Sequence, residues 1–433
     1  MEFQLQRQLG YASGNFGKSL MWTSLDYLQL FYLTEVAGIP VGWAGAIILL
    51  SLLWDGAINP FIGYWIDRRA SAGLDYRPFL RWAPVASGIG FVALFWLPSE
   101  QAATNAAYLL VAMLGFRTAY ALLDVPHNAL LAHMPVTSAM RMRLAGMRFF
   151  FSSLGGLIVA TLVAPQFVKT DPASVGGSLL MMAAIAAVLL CLTIWLSLGP
   201  SRLAMAERGL GHEAINPAKF LKAILRNKTA VLYLALAAIF AATTPLFAKI
   251  LPYLLQYVRR EPDLLPILLA SLTIGQLIAM PIWTCLLVRV KSLAIGLITL
   301  VGLASTFVLT FWLKQSPLAI IVLATWLLGF FLGGAIQIIW GLAGDVADRI
   351  AEEARIRVDG GLLAFLTLVQ KAAIGLGAVV AGFALEASSF KTGAMQGLPA
   401  LRIIEVLSLF VPAGGAIAAA ILFWRLSRAL NQK

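Results

Sequence analysis

The sequence predicts an all-α membrane protein of twelve transmembrane helices in two six-helix bundles, and three observations support this fold class. Apolar residues make up 60% of the 433-residue chain and charged residues only 12%, whereas soluble proteins average roughly 25% charged residues. Apolar runs of about 20 residues, the length that crosses a hydrocarbon core, recur along the whole chain. A polar segment divides these runs into two groups. We therefore expect the lipid bilayer to be the partner of most of the surface.

The predicted helices are separated by short polar segments. They cover residues 11–36, 41–66, 79–98, 104–132, 141–166, 174–198, 229–257, 263–288, 291–313, 317–344, 358–386 and 400–425. This gives an N-terminal bundle at 1–198, a cytoplasmic linker at 199–228 and a C-terminal bundle at 229–433. The linker ends in a basic, partly amphipathic stretch that predicts a helix at the membrane interface.

The distribution of basic residues predicts the orientation of the chain. The net charge is +12. If both termini are cytoplasmic, the inside segments hold most of the Lys and Arg residues, as the positive-inside rule requires. The outside segments then hold only Lys169, Arg259, Arg260, Lys314, Lys391 and Arg402. The positive-inside distribution thus explains the net positive charge without any binding of nucleic acid.

Enzymatic motifs are absent from the sequence. Cys191 and Cys285 fall inside apolar runs, where packing is the ordinary role of cysteine. His127 and His133 end the fourth predicted helix and His212 lies in the linker, without an acidic companion at metal-ligand spacing. No nucleophile elbow, phosphate loop or HExxH pattern occurs, and no ring-forming channel motif does. We expect neither an enzyme nor a bound cofactor.

Eight ionisable side chains lie within the predicted helices. They are Lys18, Asp26, Asp55, Arg117, Asp124, Arg148, Lys249 and Lys371. Each costs about 2.5–3.5 kcal/mol at a helix centre, so it normally faces a bundle interior or a watery cavity and has a partner. Structural ion pairs are one explanation for any single residue. For the whole set, a translocation path for a small polar solute is the better one, which indicates secondary transport.

Spacing and helix breaks add detail to this path. Asp55 and Asn59 lie four residues apart and Arg117 and Asp124 seven apart, so each pair shares a helical face. Prolines, which remove a backbone donor and bend a helix, lie beside several of the charges. These are Pro60, Pro126, Pro245 and Pro252. Glycine-rich strings at 333–336 and 375–382 predict close helix packing.

Several motifs resemble those of one known family. The segment WDGAINPFIGYWIDR, followed by RPFLRW, resembles the second-helix signature of the glycoside-pentoside-hexuronide:cation symporters, the relatives of melibiose permease. LGYASGNFGKSL, AYALLDVPHNALL and MRFFFSSLGG resemble its first, fourth and fifth helices. The segment from Gly344 to Lys371, with Asp345 and Asp348, resembles its helix-ten to helix-eleven region. The resemblance implies the major facilitator fold, alternating access, a monomer in the bacterial cytoplasmic membrane, and symport of a sugar-like solute with H⁺ or Na⁺.

The resemblance also implies a cation site, which this chain retains in part. In the family, two acids four residues apart on the second helix and a hydroxyl on the fourth helix form that site. Here the first acid is Asp55, the second is replaced by Asn59, and the hydroxyl by Ala121. Asp124 lies nearby on the fourth helix. Asp55 is therefore the candidate ligand for a sodium ion or the acceptor of a proton, and sodium loses two expected oxygen donors.

A candidate solute site follows from the same comparison and from the charges. The family engages its sugar with an acid after the first-helix Gly-Lys pair, a fourth-helix acid and a fifth-helix arginine. Here the first of these is Ser19, whereas the other two remain. The candidate solute residues are Lys18, Ser19, Asp26, Asp124, Arg148, Lys249 and Lys371. Because bases outnumber acids among the intramembrane charges, we expect an anionic solute such as a hexuronide or another acidic glycoside.

Two hypotheses concern coupling and gating. Asp55 is expected to be protonated or cation-bound when solute binds, and otherwise to pair with Lys371. Gly63, Asp67, Arg68 and Arg77 resemble the cytoplasmic gating loop of the superfamily, which predicts a latch for the outward-open state. The loss of the second acid keeps open the alternative of an uncoupled carrier or an exporter of an amphiphilic anion.

Overall fold

The chain folds into two compact units, Met1–Gly211 and His212–Lys433. The computed structural model describes residues 2–71, 78–99, 101–133, 138–168, 172–201, 224–290, 292–354 and 359–431. Over these residues each unit is built of six helices, and the predicted all-helical fold class is confirmed. The predicted linker lies mostly outside the described residues, so its interfacial helix stays a prediction.

Helices 1 to 6 form the N-terminal unit. They cover Glu2–Phe31, Val41–Ser71, Phe79–Ala93, Ala102–His133, Ser138–Ile158 and Pro172–Ser201. Helix 1 continues into a π-helical turn at Tyr32–Val36, and helix 5 into a π-helical turn at Val159–Val163 and a 3-10 helix at Ala164–Val168. Helix 1 begins at residue 2 rather than at the predicted residue 11. An apolar run marks only the part of a helix that crosses hydrocarbon, whereas backbone hydrogen bonds continue into polar flanks.

Helices 7 to 12 form the C-terminal unit. Helix 7 is assembled from Lys228–Thr243, Leu246–Tyr253 and the π-helical turn Leu254–Arg259. Helices 8 to 11 cover Leu265–Arg289, Ser292–Leu313, Leu318–Ala354 and Asp359–Ala387. Helix 12 joins Leu398–Glu405 to Val411–Asn431 through the π-helical turn Val406–Phe410. The break in helix 7 lies at Pro245, one of the two prolines predicted to interrupt this helix.

The two units repeat one packing pattern. In the N-terminal unit helix 1 packs on helices 5 and 6, helix 3 packs on helices 4 and 6, and helix 2 packs on helix 4. In the C-terminal unit helix 7 packs on helices 11 and 12, helix 9 on helices 10 and 12, and helix 8 on helix 10. Adding six to each helix number converts the first set into the second. Internal repeats of this kind are common among secondary transporters.

The outer surface of the helices is apolar. Within the described residues ten helices are long and apolar enough to cross a membrane. The other two helices are not among these ten. Helix 3 is apolar but shorter, and helix 1 carries two of the intramembrane charges. Trp82, Trp312 and Phe61 are each about three quarters exposed, at 75%, 75% and 74%. Such surface fits lipid rather than water, so the chain is an integral, multi-pass membrane protein.

Both predicted glycine-rich strings lie at close helix contacts. A Cβ atom at Gly377 of helix 11 would lie 2.1 Å from the carbonyl oxygen of Ala242 on helix 7. One at Gly334 of helix 10 would lie 2.6 Å from Thr299 Cγ2 on helix 9. The glycines therefore allow backbone approaches that any side chain would prevent.

We expect Gly377→Ala to lower the midpoint of thermal unfolding of the purified protein in detergent, because overpacking costs about 1–3 kcal/mol. Gly414→Ala is the matched control, since no atom lies within 4 Å of a Cβ at that position. There alanine should leave the midpoint unchanged or raise it, because it favours helix over glycine by about 1 kcal/mol. Equal destabilisation by both variants would contradict the close-packing explanation.

Candidate functional site

Helix 4 supplies the charges around which the N-terminal unit is organised. Arg117 and Asp124 lie seven residues apart, which is nearly two helical turns or about 10 Å along the axis. Arg117 contacts helix 2, whereas Asp124 contacts helix 1. The shared face predicted for these two residues therefore carries two distinct charged groups.

The first group, the Asp124 cluster, consists of Lys18, Asp124, Asn128 and Arg148. Lys18 Nζ donates to Asp124 Oδ1 at 2.8 Å and to Asn128 Oδ1 at 3.2 Å. Asn128 Nδ2 donates to Asp124 Oδ2 at 2.9 Å, and Arg148 Nη2 donates to Asn128 Oδ1. Helices 1, 4 and 5 thus bring together two bases and one acid, with a neutral amide between them.

The Asp124 cluster extends from the interior of the unit to an accessible face. Lys18 is 4% exposed, whereas the Asp124 side chain is 34% exposed. Asn128 is exposed and Arg148 half-buried. A carboxylate accepts hydrogen bonds from hydroxyl groups, and a guanidinium binds a carboxylate through two parallel hydrogen bonds. The accessible part of the cluster therefore has the chemistry to bind a polyhydroxylated, acidic molecule.

An aromatic stack supports Arg148. Its guanidinium lies 5.7 Å from the centre of the Tyr11 ring, and that ring stacks on His127 with centroids 5.1 Å apart. His127 is fully buried, and its Nε2 lies 3.1 Å from Ser197 Oγ. Because Ser197 Oγ donates to the carbonyl oxygen of Ile194, Nε2 must be the donor. His127 therefore packs helices 1, 4 and 6 together. The side chain of His133 lies outside the described residues.

The second group is the Asp55–Arg117 pair. Arg117 Nη1 lies 3.6 Å from Asp55 Oδ2, and the side chains are only 3% and 1% exposed. The guanidinium also lies 4.9 Å from the centre of the Trp22 ring, and Asp26 adds a second negative charge near it. A buried charge is strongly destabilising when it is left alone, so Arg117 compensates Asp55 within the N-terminal unit. Pairing of Asp55 with Lys371 of the other unit stays a prediction.

At three positions this chain lacks the side chain that the family uses for its cation or its sugar. Asn59 is half-buried one turn after Asp55, and Ala121 is 1% exposed. Ser19 Oγ donates to the carbonyl oxygen of Ser152 at 2.7 Å. Ser19 thus joins helix 1 to helix 5, and neither Asn59 nor Ala121 supplies a second carboxylate or a hydroxyl beside Asp55.

Two lysines carry the candidate charges of the C-terminal unit. Lys249 is 4% exposed and lies on the middle piece of helix 7, between Pro245 and Pro252. Lys371 is half-buried on helix 11. The predicted helix break beside Lys249 is confirmed. The predicted membership of Lys249, Lys371 and Asp26 in one solute site with the Asp124 cluster stays a prediction.

The predicted gating loop is only partly described. Gly63 and the backbones of Asp67 and Arg68 belong to helix 2, which runs to Ser71. Arg77 and the side chains of Asp67 and Arg68 lie outside the described residues. The latch therefore stays a prediction.

Asn128 is the main site residue that the sequence analysis missed. It follows Asp124 by four residues, and residues at this spacing share a helical face. The same spacing singled out Asn59 after Asp55, so it could also have identified Asn128. Tyr120 and Trp22 were missed as well. The Tyr120 hydroxyl donates to the carbonyl oxygen of Lys18 at 3.3 Å, and the two rings lie 6.3 Å apart. Tyr120 and Trp22 lie between the two charged groups. Aromatic residues are so common in this chain that spacing alone does not identify these two as site residues.

Comparison with known proteins decides the family. The model of the MFS/sugar transport protein family matches residues 10–428. The chain belongs to this transporter family. It is 22% identical over 424 residues to the glucuronide carrier protein homolog of Escherichia coli (strain K12), which covers 96% of this chain and 91% of that protein. It is 25% identical over 420 residues to the symporter YjmB of Bacillus subtilis (strain 168), which covers 94% of this chain and 89% of that protein.

A solved structure supports the fold of the transporter. The crystal structure of a D-xylose-proton symporter superposes with a TM-score of 0.69 at 13% identity, covering 98% of this chain and 97% of that chain. This confirms the major facilitator fold. The resemblance to glycoside/cation symporters is confirmed as well, because the chain is 22% identical over 416 residues to the putative glycoside/cation symporter YagG of Escherichia coli (strain K12), a match that covers 95% of this chain and 89% of that protein. The family consists of transporters, which confirms the expectation that the chain is not an enzyme.

We expect Arg117→Met to destabilise the folded transporter by about 3–5 kcal/mol, because it leaves Asp55 buried without its guanidinium. Combining it with Asp55→Leu removes both charges and should restore much of the loss. Thermal unfolding of each purified variant in detergent measures both effects, with the exposed Arg425→Met as control. A double variant no more stable than Arg117→Met would show that the pair is not the stabilising interaction.

Proposed function

We propose that this transporter moves an acidic, sugar-like solute across the membrane by alternating access, in symport with a proton. The observation that carries the proposal is the Asp124 cluster, in which two bases share one acid. Membership of a sugar transport family supports the solute class. The similarity to a glucuronide carrier homolog supports an acidic sugar in particular.

Arg148 is the proposed ligand for the acidic group. Lys18 lies against the carboxylate of Asp124, whereas Arg148 donates to the neutral amide of Asn128. The positive charge of Arg148 is therefore available to a carboxylate on the solute. Asp124 can accept further hydrogen bonds from the hydroxyl groups of the solute. The predicted roles of Lys249 and Lys371 in solute binding stay predictions.

Asp55 is the proposed site of coupling. When a proton neutralises this carboxylate, Arg117 keeps a favourable environment, because Trp22 lies beneath its guanidinium and Asp26 contributes a negative charge. A sodium ion needs several oxygen donors around it, and Asn59 and Ala121 leave Asp55 with fewer than the family pattern supplies. The proton is therefore the better candidate of the two coupling ions.

The same ion pair favours one second candidate, an uncoupled carrier or an exporter of an amphiphilic anion. If Arg117 neutralises Asp55 throughout the cycle, no cation is required at this site. The two candidates differ in whether an imposed gradient drives accumulation.

We expect hexuronides to compete for uptake into vesicles more strongly than the matching neutral hexosides. Arg148→Gln should reduce this preference roughly 10- to 100-fold, the range that a lost charge-assisted hydrogen bond of about 1.5–3 kcal/mol gives. Arg148→Lys keeps the charge and should lose less. Lys391→Gln in an exposed loop is the control. A competition series that ranks neutral disaccharides above every acidic solute would contradict the proposal.

We expect an inward proton gradient, and not a sodium gradient, to drive concentrative uptake in proteoliposomes. Asp55→Asn should abolish accumulation while solute exchange continues, because the variant cannot take up and release the coupling proton. Full accumulation by Asp55→Asn would overturn this role. Uptake that responds to neither gradient in the wild type would instead support the uncoupled carrier.

A further inference from the structure

A membrane-facing groove runs between helices 9 and 12 of the C-terminal unit, and none of the residues that line it belongs to the candidate site. Its volume is about 620 Å³. The side chains that line it are almost all apolar. They include Val301, Ser305 and Val308 of helix 9 and Ile417, Ile421 and Trp424 of helix 12. These six side chains are exposed, so the groove opens toward the lipid.

The length of the groove matches one leaflet of a bilayer. It extends along helix 9 from Leu297 to Val308, which is about 16 Å at 1.5 Å per residue. A hydrocarbon core of ~30 Å gives each leaflet about half that thickness. The Phe423 ring packs directly against Gly296, which places the Leu297 end of the groove beside Trp424. One acyl chain therefore fits the groove along its length.

A cation lies at the Trp424 end of the groove. The guanidinium of Arg428 lies 4.1 Å from the centre of the Trp424 ring, and Arg428 itself is exposed. Tryptophan is enriched where a membrane protein meets the headgroup region. Basic pockets between transmembrane helices bind anionic lipid headgroups. The apolar channel and its terminal cation thus have the two chemical parts of an anionic phospholipid.

We propose that this groove is a binding site for one anionic phospholipid, with an acyl chain along helices 9 and 12 and the headgroup on Arg428. A zwitterionic phospholipid offers the same chain, but its ammonium group cancels the headgroup charge, so Arg428 selects against it. The alternative occupant, a second copy of the chain, would cover the groove without needing a cation at its end.

Native mass spectrometry of the purified full chain in detergent tests the proposal, with phosphatidylglycerol and phosphatidylcholine added in equal amounts. The wild type should retain one phosphatidylglycerol in preference to phosphatidylcholine. Arg428→Gln should weaken retention of phosphatidylglycerol about fivefold, since each basic residue at a membrane surface contributes about 1 kcal/mol. Arg425→Gln is the matched control, because its position is turned about 100° from Trp424 on helix 12; it should leave retention unchanged.

A second pair of variants tests the apolar part. Ser305→Phe places a ring in the groove, about 12 Å from Leu297 along helix 9, and should abolish retention of both lipids. Leu376→Phe, at an exposed position on helix 11, should retain them. Three results would overturn the proposal. The wild type could retain the two lipids equally, Arg428→Gln and Arg425→Gln could have equal effects, or the wild type could form a dimer that Ser305→Phe dissociates. None of these readouts involves transport, so they stand apart from the proposed function.

Discussion

A charged side chain inside a bilayer has to be compensated by another charge, by hydrogen bonds or by water, and helix 4 is where this chain meets that requirement. Arg117 compensates Asp55 of helix 2, and Asp124 compensates Lys18 of helix 1. Removing one partner from such a pair is far more costly than removing both. The packing of helices 1, 2 and 4 therefore depends on charges that also have the chemistry of a binding site.

The arrangement of these charges suggests how solute and cation could act on each other. The Asp124 cluster and the Asp55–Arg117 pair lie about two turns apart on one rigid helix. Between them, Tyr120 bonds to the backbone of Lys18 and its ring lies near that of Trp22, beneath Arg117. Under the proposed function, a solute that draws Arg148 from Asn128 alters the surroundings of Lys18 and Asp124. The Tyr120 and Trp22 rings lie between those residues and the guanidinium beside Asp55.

Much of the fold followed from hydrophobic runs, because apolar length is a direct consequence of bilayer thickness. The polar ends of helices did not follow, and neither the start of helix 1 nor the extension of helix 10 to Ala354 was predicted. The intramembrane charges identified Lys18, Asp124 and Arg148 of the Asp124 cluster and both members of the Asp55–Arg117 pair, whereas their part in solute binding stays a prediction. Their partners were not predictable, because i,i+7 spacing places Arg117 and Asp124 on one face without showing which helices lie opposite. Asn128 was predictable, because it follows Asp124 at the four-residue spacing that singled out Asn59, but it was missed.

The proposed recognition of an acidic sugar by the Asp124 cluster depends on Arg148. The most direct test is equilibrium binding of a matched pair, a hexuronide and the neutral hexoside of the same ring, to the purified transporter by isothermal titration calorimetry. We expect the hexuronide to bind more tightly to the wild type and Arg148→Gln to bind the two alike. Tighter binding of the neutral hexoside, or a hexuronide preference that survives Arg148→Gln unchanged, would contradict the proposal.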